Sequence, residues 1–304
     1  MIEEIRTQSQ RISAVVVTYN RPHDLEACVN ALRNQTYPLS SIIVIDNAGP
    51  VPARAFLPSD PKVQVVRSEV NLGGAGGFAA GLEIALTQGV DRVWLMDDDA
   101  IAHPDALEML LLAEPDCKDS GVMLSAVYEF GKVAVRHRRK FDSLTGIEWP
   151  IPKAQYSRSR IKVDTGSFVG FLVRSEIARS IPRPNADYFL AFDDTEYSLR
   201  IAQAGHSLWL VPASRIEHLR SSDSRLRQGP FGGKHFLNVR NHMYVKLGYS
   251  RLKVFAFILA SIYGFSIWVR SGGLIRPSSI RLLIRALSDG LHGRLGPPPS
   301  MNVS

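Results

Sequence analysis

The first hundred residues alternate between unbroken apolar runs and stretches of helical spacing. ISAVVVTY (Ile12 to Tyr19), SIIVIDN (Ser41 to Asn47), VQVVRS (Val63 to Ser68) and RVWLMDDD (Arg92 to Asp99) are short and rich in Val, Ile and Leu. Such runs predict strands buried on both faces. Behind Pro22, the residues Leu25, Cys28, Val29 and Leu32 recur at helical spacing and predict a helix to Asn34. A second helix is predicted to open in the glycine-rich segment NLGGAGGFAAGLEIAL, between the third and fourth strands. Beyond Ser120 the pattern shortens, with strands predicted over Val122–Tyr128, Lys132–Arg136 and Phe168–Arg174. A helix over Thr195–Ala204, ended by Gly205, and a strand at LWLVP follow. The last third reads as helical. Its apolar run from Val254 to Val269 is 16 residues long between Lys253 and Arg270. At about 1.5 Å per residue it reaches ~24 Å, short of the ~30 Å of a bilayer core, so a buried or interfacial helix is expected.

Strands separated by helices predict a mostly parallel α/β sheet covered on both faces. In such sheets ligands bind just past the carboxyl ends of the strands. Thr18-Tyr19-Asn20-Arg21, Asp46-Asn47 and Asp97-Asp98-Asp99 all fall at those ends, so three strands aim polar groups at one rim. Three consecutive carboxylates after an apolar strand repel one another unless a cation neutralises them. Alternate residues of an extended segment share a face, so Asp97 and Asp99 can meet one ion, and oxygen ligands suit Mg²⁺ or Mn²⁺. Gly74-x-Gly76-x-x-Ala79, with Asp97 18 residues on, imitates a dinucleotide fingerprint. That fingerprint belongs after the first strand of its unit, and this one follows the third. Glycine at a helix start still admits close approach of a sugar or phosphate. In Phe192-Asp193-Asp194-Thr195-Glu196, capping needs one carboxylate, which leaves a second as a candidate general base. His218, after a strand, becomes a ligand only if the fold carries it to Asp97 and Asp99. Arg136-His137-Arg138-Arg139-Lys140 reads as a solvated basic loop.

Charge divides the chain. From Leu219 onward there are 13 Lys/Arg against 2 Asp/Glu, and the rest of the chain carries a net −4 within a total of +7. A uniform nucleic-acid binder is not built this way, whereas a basic helical tail suits anionic lipid or a phosphate-bearing substrate. The composition, 45% hydrophobic and 21% charged, excludes disorder and a multispan membrane protein. Cys28 and Cys117 make neither a disulfide framework nor a metal-type pair, so a reducing compartment is expected. The N-terminal MIEEIRTQSQ lacks the features of a signal peptide.

The ordered set VVVTYNRP, IIVIDN, NLGGAGGF, WLMDDDA and FDDTEYSLR, with His218 downstream, resembles the inverting glycosyltransferases of family 2, over roughly residues 12 to 220. The glycine string joined to the triple Asp is most similar to bacterial galactofuranosyltransferases; rhamnosyltransferases share much of the pattern. The resemblance implies a GT-A fold over residues 1–220, with a nucleotide-sugar half at about 10–115 and an acceptor half at about 116–220, then a basic helical region over 221–304. It implies that Thr18, Asn20 and Arg21 line the nucleotide pocket, that Asp46 faces uracil or ribose, and that Asn71 and Gly74 border the sugar. Asp97 and Asp99, flanking Asp98 at the nucleotide, would hold Mn²⁺ or Mg²⁺ with His218. Asp194 would be the catalytic base and Asp193 its neighbour in the acceptor site. The implied donor is a nucleoside diphosphate sugar, UDP-galactofuranose first and dTDP-rhamnose as the alternative, and the acceptor a glycan or lipid-linked glycan. The implied place is the cytoplasmic face of the plasma membrane. For the helix from Val254, packing on the catalytic domain, on a second subunit or on anionic lipid all stand open. Rival readings are a non-catalytic nucleotide-sugar binder and a nucleotidyltransferase.

Overall fold

The computed structural model describes residues 10–219, 230–273 and 279–299. Its strands are β1 (Ile12–Thr18), β2 (Ser41–Asp46), β3 (Val63–Arg67), β4 (Arg92–Asp97), β5 (Ala100–Ala102), β6 (Ser120–Glu129), β7 (Lys132–Val133), β8 (Arg138–Phe141), β9 (Glu148–Pro150), β10 (Ile161–Val163), β11 (Thr165–Gly166), β12 (Phe171–Arg174) and β13 (Ser207–His218). Its helices are α1 (Pro22–Arg33), α2 (Gly73–Thr87), α3 (Ala106–Ala113), α4 (Ser175–Ser180), α5 (Asp193–Gln203), α6 (Gly233–Tyr249), α7 (Lys253–Arg270) and α8 (Ile280–Leu291).

β1 is buried at every position. Its Ile12, Ala14 and Val16 meet Leu25, Cys28, Val29 and Leu32 of α1 in one core. Val15 and Val17 meet Phe78, Leu82 and Ala85 of α2 in the other. The central sheet runs β10-β13-β6-β12-β4-β1-β2-β3, with β5 and β7 at its margin. β1 is parallel to β2 and β4, β2 to β3, and β13 to β6. β12 is antiparallel to both β4 and β6, so those two share one direction. The carboxyl ends of β1, β2, β3, β4, β6 and β13 therefore open on a single rim. The glycines of α2 let it sit close against this sheet: a Cβ at Gly77 would lie 2.5 Å from a Val17 methyl, and one at Gly81 would overlap Val15.

Several segments depart from their predicted extents. β4 stops at Asp97 because the chain turns at Asp98 and Asp99, which lets β5 pair with β13. The strand predicted over Lys132–Arg136 is two residues long and gives way to a single helical turn at Val135–His137. The basic run from Arg136 is no solvated loop. Arg138 is fully buried, its guanidinium donating to the carbonyls of Ser125, Ser167 and Val169, which it links as a cross-strand bolt. Burial pushes that guanidinium down to about 10. LWLVP is the first part of a 12-residue strand that passes a bulge after Val211 and continues to His218. Pro212 sits at that irregularity, where its missing N–H is tolerated.

In the C-terminal region α6 is buried along most of its length. α7 packs on it through Ala256, Ala260, Gly264 and Trp268, one residue per turn, and Leu283 and Ala286 of α8 complete this core. A Cβ at Gly264 would lie 2.8 Å from Val239 of α6. The large side chains of α7 point away, with Val254 75%, Ile262 60% and Phe265 52% exposed.

Candidate active site

The rim gathers Asp97, Asp98 and Asp99, all of them perturbed. Thr18, at the end of β1, donates its hydroxyl to Asp98 Oδ2 at 2.7 Å. The half-exposed Arg21 lies 3.3 Å from Asp98 Oδ1 and forms a closer ion pair with Asp99. Asp98 and Asp99 are buried while Asp97 is partly open to solvent. Desolvation, then the charge of Asp99, lifts the Asp97 carboxyl to about 6. Desolvation lifts Asp98 to about 7, against the Thr18 hydrogen bond and the Arg21 charge. Burial also acts to raise Asp99, but contact with His218 and with Arg21 outweighs it and holds this carboxyl below its ordinary value.

His218, the last residue of β13, reaches this group. Its Nε2 lies 3.0 Å from Asp99 Oδ1 and 4.0 Å from Asp97 Oδ2. Its Nδ1 lies 3.0 Å from Glu129 Oε1, at the end of β6. Desolvation opposes its charge, yet Asp99 and Glu129 raise its pKa to about 9. Glu129 Oε1 is also 3.1 Å from His137 Nε2, whose Nδ1 meets the Ser167 hydroxyl at 2.7 Å. Burial drives His137 down to about 4, so this second imidazole is neutral.

Ligand atoms of Asp97, Asp99 and His218 all lie within 4.8 Å of one another. Asp99 Oδ1 is buried with no hydrogen bond of good geometry, an oxygen that a cation would satisfy. Two carboxylates and an imidazole with open positions around them fit a divalent ion. Glu129, His137 and His218 form a second such trio. Its atoms are joined through Glu129 by hydrogen bonds; a carboxylate on one ring nitrogen of His218 would direct the other toward a metal.

Within electrostatic reach of this centre are Asp193 and Asp194, the first residues of α5. Asp193 is buried, and its carboxyl is pushed well up by desolvation and by Asp194. Asp194 is raised more gently: burial is offset by the Arg139 charge and by bonds from Thr195, whose backbone N–H donates at 2.5 Å. Arg139 is held there by Thr195 Oγ1 at 2.8 Å and by Glu148, which also takes Lys246 of α6 at 3.3 Å. The two carboxylate groups sense each other: Asp194 raises Asp97, and Asp97 raises Asp193.

The remaining residues named from sequence lie along the same rim. Asp46 ends β2 and accepts from Gly49 N, Ala53 N and Arg67 Nη1 at 3.2, 2.9 and 2.6 Å. It lines a cavity of about 250 Å³ with Pro52, Arg54, Val65 and Arg67. Asn20 is exposed with a left-handed φ of 56°, a backbone conformation that Asn tolerates. Asn71 is exposed and accepts from Gly73 N at 2.8 Å. Gly74 is half-buried beside Leu190. Gly73, with φ of 70°, abuts the Phe189 carbonyl so closely that no Cβ fits. Sequence reasoning missed Glu129 and His137. The signal for Glu129 was present: Tyr128-Glu129-Phe130-Gly131 ends a strand with a turn, the same position that singled out the Asp residues.

The family model for glycosyl transferase family 2 matches residues 13–181. Galactofuranosyltransferase GlfT1 of Mycobacterium tuberculosis (strain ATCC 25618 / H37Rv) is 30% identical over 258 residues, covering 78% of this chain and 82% of that protein. Galactofuranosyltransferase GlfT2 of the same strain is 26% identical over 267 residues, covering 77% of this chain and 41% of its own length. Among solved structures, GalNAc-T7 with UDP, GalNAc and Mn²⁺ matches with a TM-score of 0.58 at 15% identity. That match covers 78% of this chain and about half, 47%, of the solved chain, and it is a likeness of fold.

Proposed function

The chain belongs to glycosyl transferase family 2 and has the GT-A glycosyltransferase fold; from that premise we propose that it transfers galactofuranose from UDP-galactofuranose, with inversion, to a hydroxyl of a glycan or lipid-linked glycan of the cell envelope. The observation that carries the reading is the pairing of an Asp97/Asp99/His218 centre on the sheet rim with the Asp193/Asp194 carboxylates of α5, close enough to shift one another's proton affinity. The sugar rests on relatives whose names state that activity.

Asp97, Asp99 and His218 would hold Mn²⁺ or Mg²⁺, which when bound supplies positive charge to a departing diphosphate. Arg21, paired with Asp98 and Asp99 and half open to solvent, offers a guanidinium fork to phosphate oxygens. The Asp46 cavity, with Arg54 and Arg67, stands where β2 and β3 end and would take the nucleoside. Asn71 and Gly74 would border its sugar. In the α5 pair the deeper Asp193 keeps its proton more firmly and serves as a donor to the acceptor sugar. Asp194, less strongly raised and steadied by Arg139, accepts the proton of the attacking hydroxyl. One base and no protein nucleophile give a single in-line displacement and inversion.

The outer face of α7 supports a peripheral seat on anionic membrane. Val254, Ile258, Ile262 and Phe265 are exposed on it, and Arg251 and Lys253 are exposed at its start. A groove along α8 and the turn after it is lined by Arg281, Arg285 and Arg294, the last two paired with Asp289. An apolar face rimmed by cations fits an anionic headgroup layer.

The test is release of nucleoside diphosphate from UDP-galactofuranose, UDP-galactopyranose, UDP-glucose and dTDP-rhamnose, with a lipid-linked glycan mimic, with Mn²⁺ and then with chelator. We expect metal-dependent turnover of UDP-galactofuranose, reduced at least 10²-fold, about the lower end of a general base's worth, in Asp194→Asn. Turnover of dTDP-rhamnose alone would replace the donor, and turnover unaffected by chelation would remove the metal.

A further inference from the structure

The loop that delivers Asp193 and Asp194 is strained, and α6 holds it. Phe189, Ala191 and Phe192 have φ of 61°, 69° and 67°, a region that residues bearing a Cβ rarely adopt. Phe192 is the residue on which α5 begins. Such a run persists only where its surroundings over-determine it. Here one side chain reaches three of its carbonyls: Asn241 Nδ2 donates to those of Tyr188, Leu190 and Ala191 at 3.0, 2.9 and 2.8 Å. An amide carries two hydrogens, so one is shared between acceptors. Arg240 fixes which way that amide faces by donating Nε–H to Asn241 Oδ1 at 2.8 Å. Its Nη2 reinforces the Tyr188 carbonyl at 3.1 Å, and its Nη1 binds the Gly296 carbonyl at 2.6 Å. Both residues are buried, Asn241 completely. On the opposite side the Phe189 carbonyl accepts from Ala75 N at 3.2 Å, in the glycine-rich start of α2.

We propose that Arg240 and Asn241 are positioning residues that hold the strained 188–192 loop and thereby set the acceptor-side carboxylates Asp193 and Asp194 against the donor site. The basic C-terminal region thus reaches into the catalytic geometry through two side chains on one turn of α6. The proposal rests on the reading of Asp194 as base, and its test keeps the two separable.

Asn241→Ala removes all three donations. Hydrogen exchange of the peptide spanning residues 186–199 reads the brace without any assay of activity. It should rise at least tenfold, with the amides of β1 and β4 unchanged. Transfer should fall in kcat by about a hundredfold, the usual cost of a displacement of an ångström or so in a reacting group. UDP affinity in the presence of Mn²⁺, measured by calorimetry, should stay within twofold, a split that general loss of structure would not produce. Unchanged exchange in 186–199 overturns the brace; raised exchange with unchanged kcat overturns the positioning role, as does a parallel loss of UDP affinity. Should Asn241→Ala fail to fold, Arg240→Lys, which keeps the charge and loses the bond to Asn241 Oδ1, is read in the same way. A wild-type chain inactive on every donor sinks the proposed function and leaves the exchange result to decide the brace.

Discussion

His218 sits between Asp99 and Glu129, and its protonation is the residue-scale property that most directly reports the centre. With a folded pKa of about 9 against an unfolded value near 6.5, the folded metal-free protein keeps a proton that the unfolded chain has lost. Stability must then decline as pH rises between those values, by at most about 1.4 kcal/mol per pH unit. Asp97 and Asp98, raised to about 6 and 7, act in the same direction but finish by neutrality. His137, lowered to about 4, acts oppositely and only below 6.5. Asp193, pushed well up by burial, acts in the same direction, so His218 carries a share of the window from pH 7 to 8.5 and not all of it. Thermal unfolding of the chelator-treated protein should show a melting temperature that falls across this window. His218→Gln should lose the share of that slope that His218 carries. An equal slope in the variant would place the titrating group elsewhere. With Mn²⁺ added the wild-type slope should also shrink, because a ligating imidazole gives up its extra proton in both states.

At the scale of elements, the sequence pattern makes the first hundred residues legible and those from Ser120 to His218 only in part. β1, β2 and β4 are buried on both faces, so their unbroken Val/Ile runs announce them, and the polar residues closing each run mark the rim. The apolar pattern ends β13 early because Pro212 interrupts it, while the bulge carries the strand on to His218. Arg138 was misread for a different reason. Charge pattern cannot reveal that the carbonyls of Ser125, Ser167 and Val169 lie in reach of one guanidinium, since they come together only through pairing of distant strands. Asn241 escaped likewise, its partners being some fifty residues away. The glycines of α2 were read for phosphate approach, and the structure adds a packing duty. A methyl group at Gly77 meets Val17 at 2.5 Å and the Asn47 amide at 3.1 Å. Gly77→Ala gains about 1 kcal/mol of helix propensity, yet overpacking typically costs ~1–3 kcal/mol, so a net loss is expected. Denaturant unfolding would measure it, and the deficit should shrink when Val17→Ala is added, because the two sites share one contact. Additive losses would show that the clash is relieved elsewhere.

Across the whole molecule, the proposed function turns the split between an acidic front and a basic tail into one between a candidate substrate rim and a candidate docking face. α6 is the partition: its Arg240 and Asn241 hold the loop before α5, and its Val239 receives Gly264 of α7, which turns its large apolar side chains outward. Among the described residues α7 is the one helix whose length and composition would suit a membrane span, yet one face of it is committed to α6 through small residues. A helix attached along one side and apolar on the other is suited to lie on a bilayer. Exposed Arg or Lys near the surface add about 1 kcal/mol each on anionic lipid, an attraction that salt screens. The full chain should therefore co-sediment with vesicles containing phosphatidylserine, less so with neutral vesicles, and less again as salt is raised. Ile258→Asp with Ile262→Asp should leave the protein in the supernatant while its turnover of a water-soluble acceptor is unchanged, because neither residue approaches the rim. If the same pair of substitutions instead lowers the sedimenting mass in the absence of vesicles, the face is covered by a second copy of the chain. The acceptor would then have to reach Asp194 without help from a membrane-bound orientation, and transfer to lipid-linked and soluble acceptors should be equally efficient.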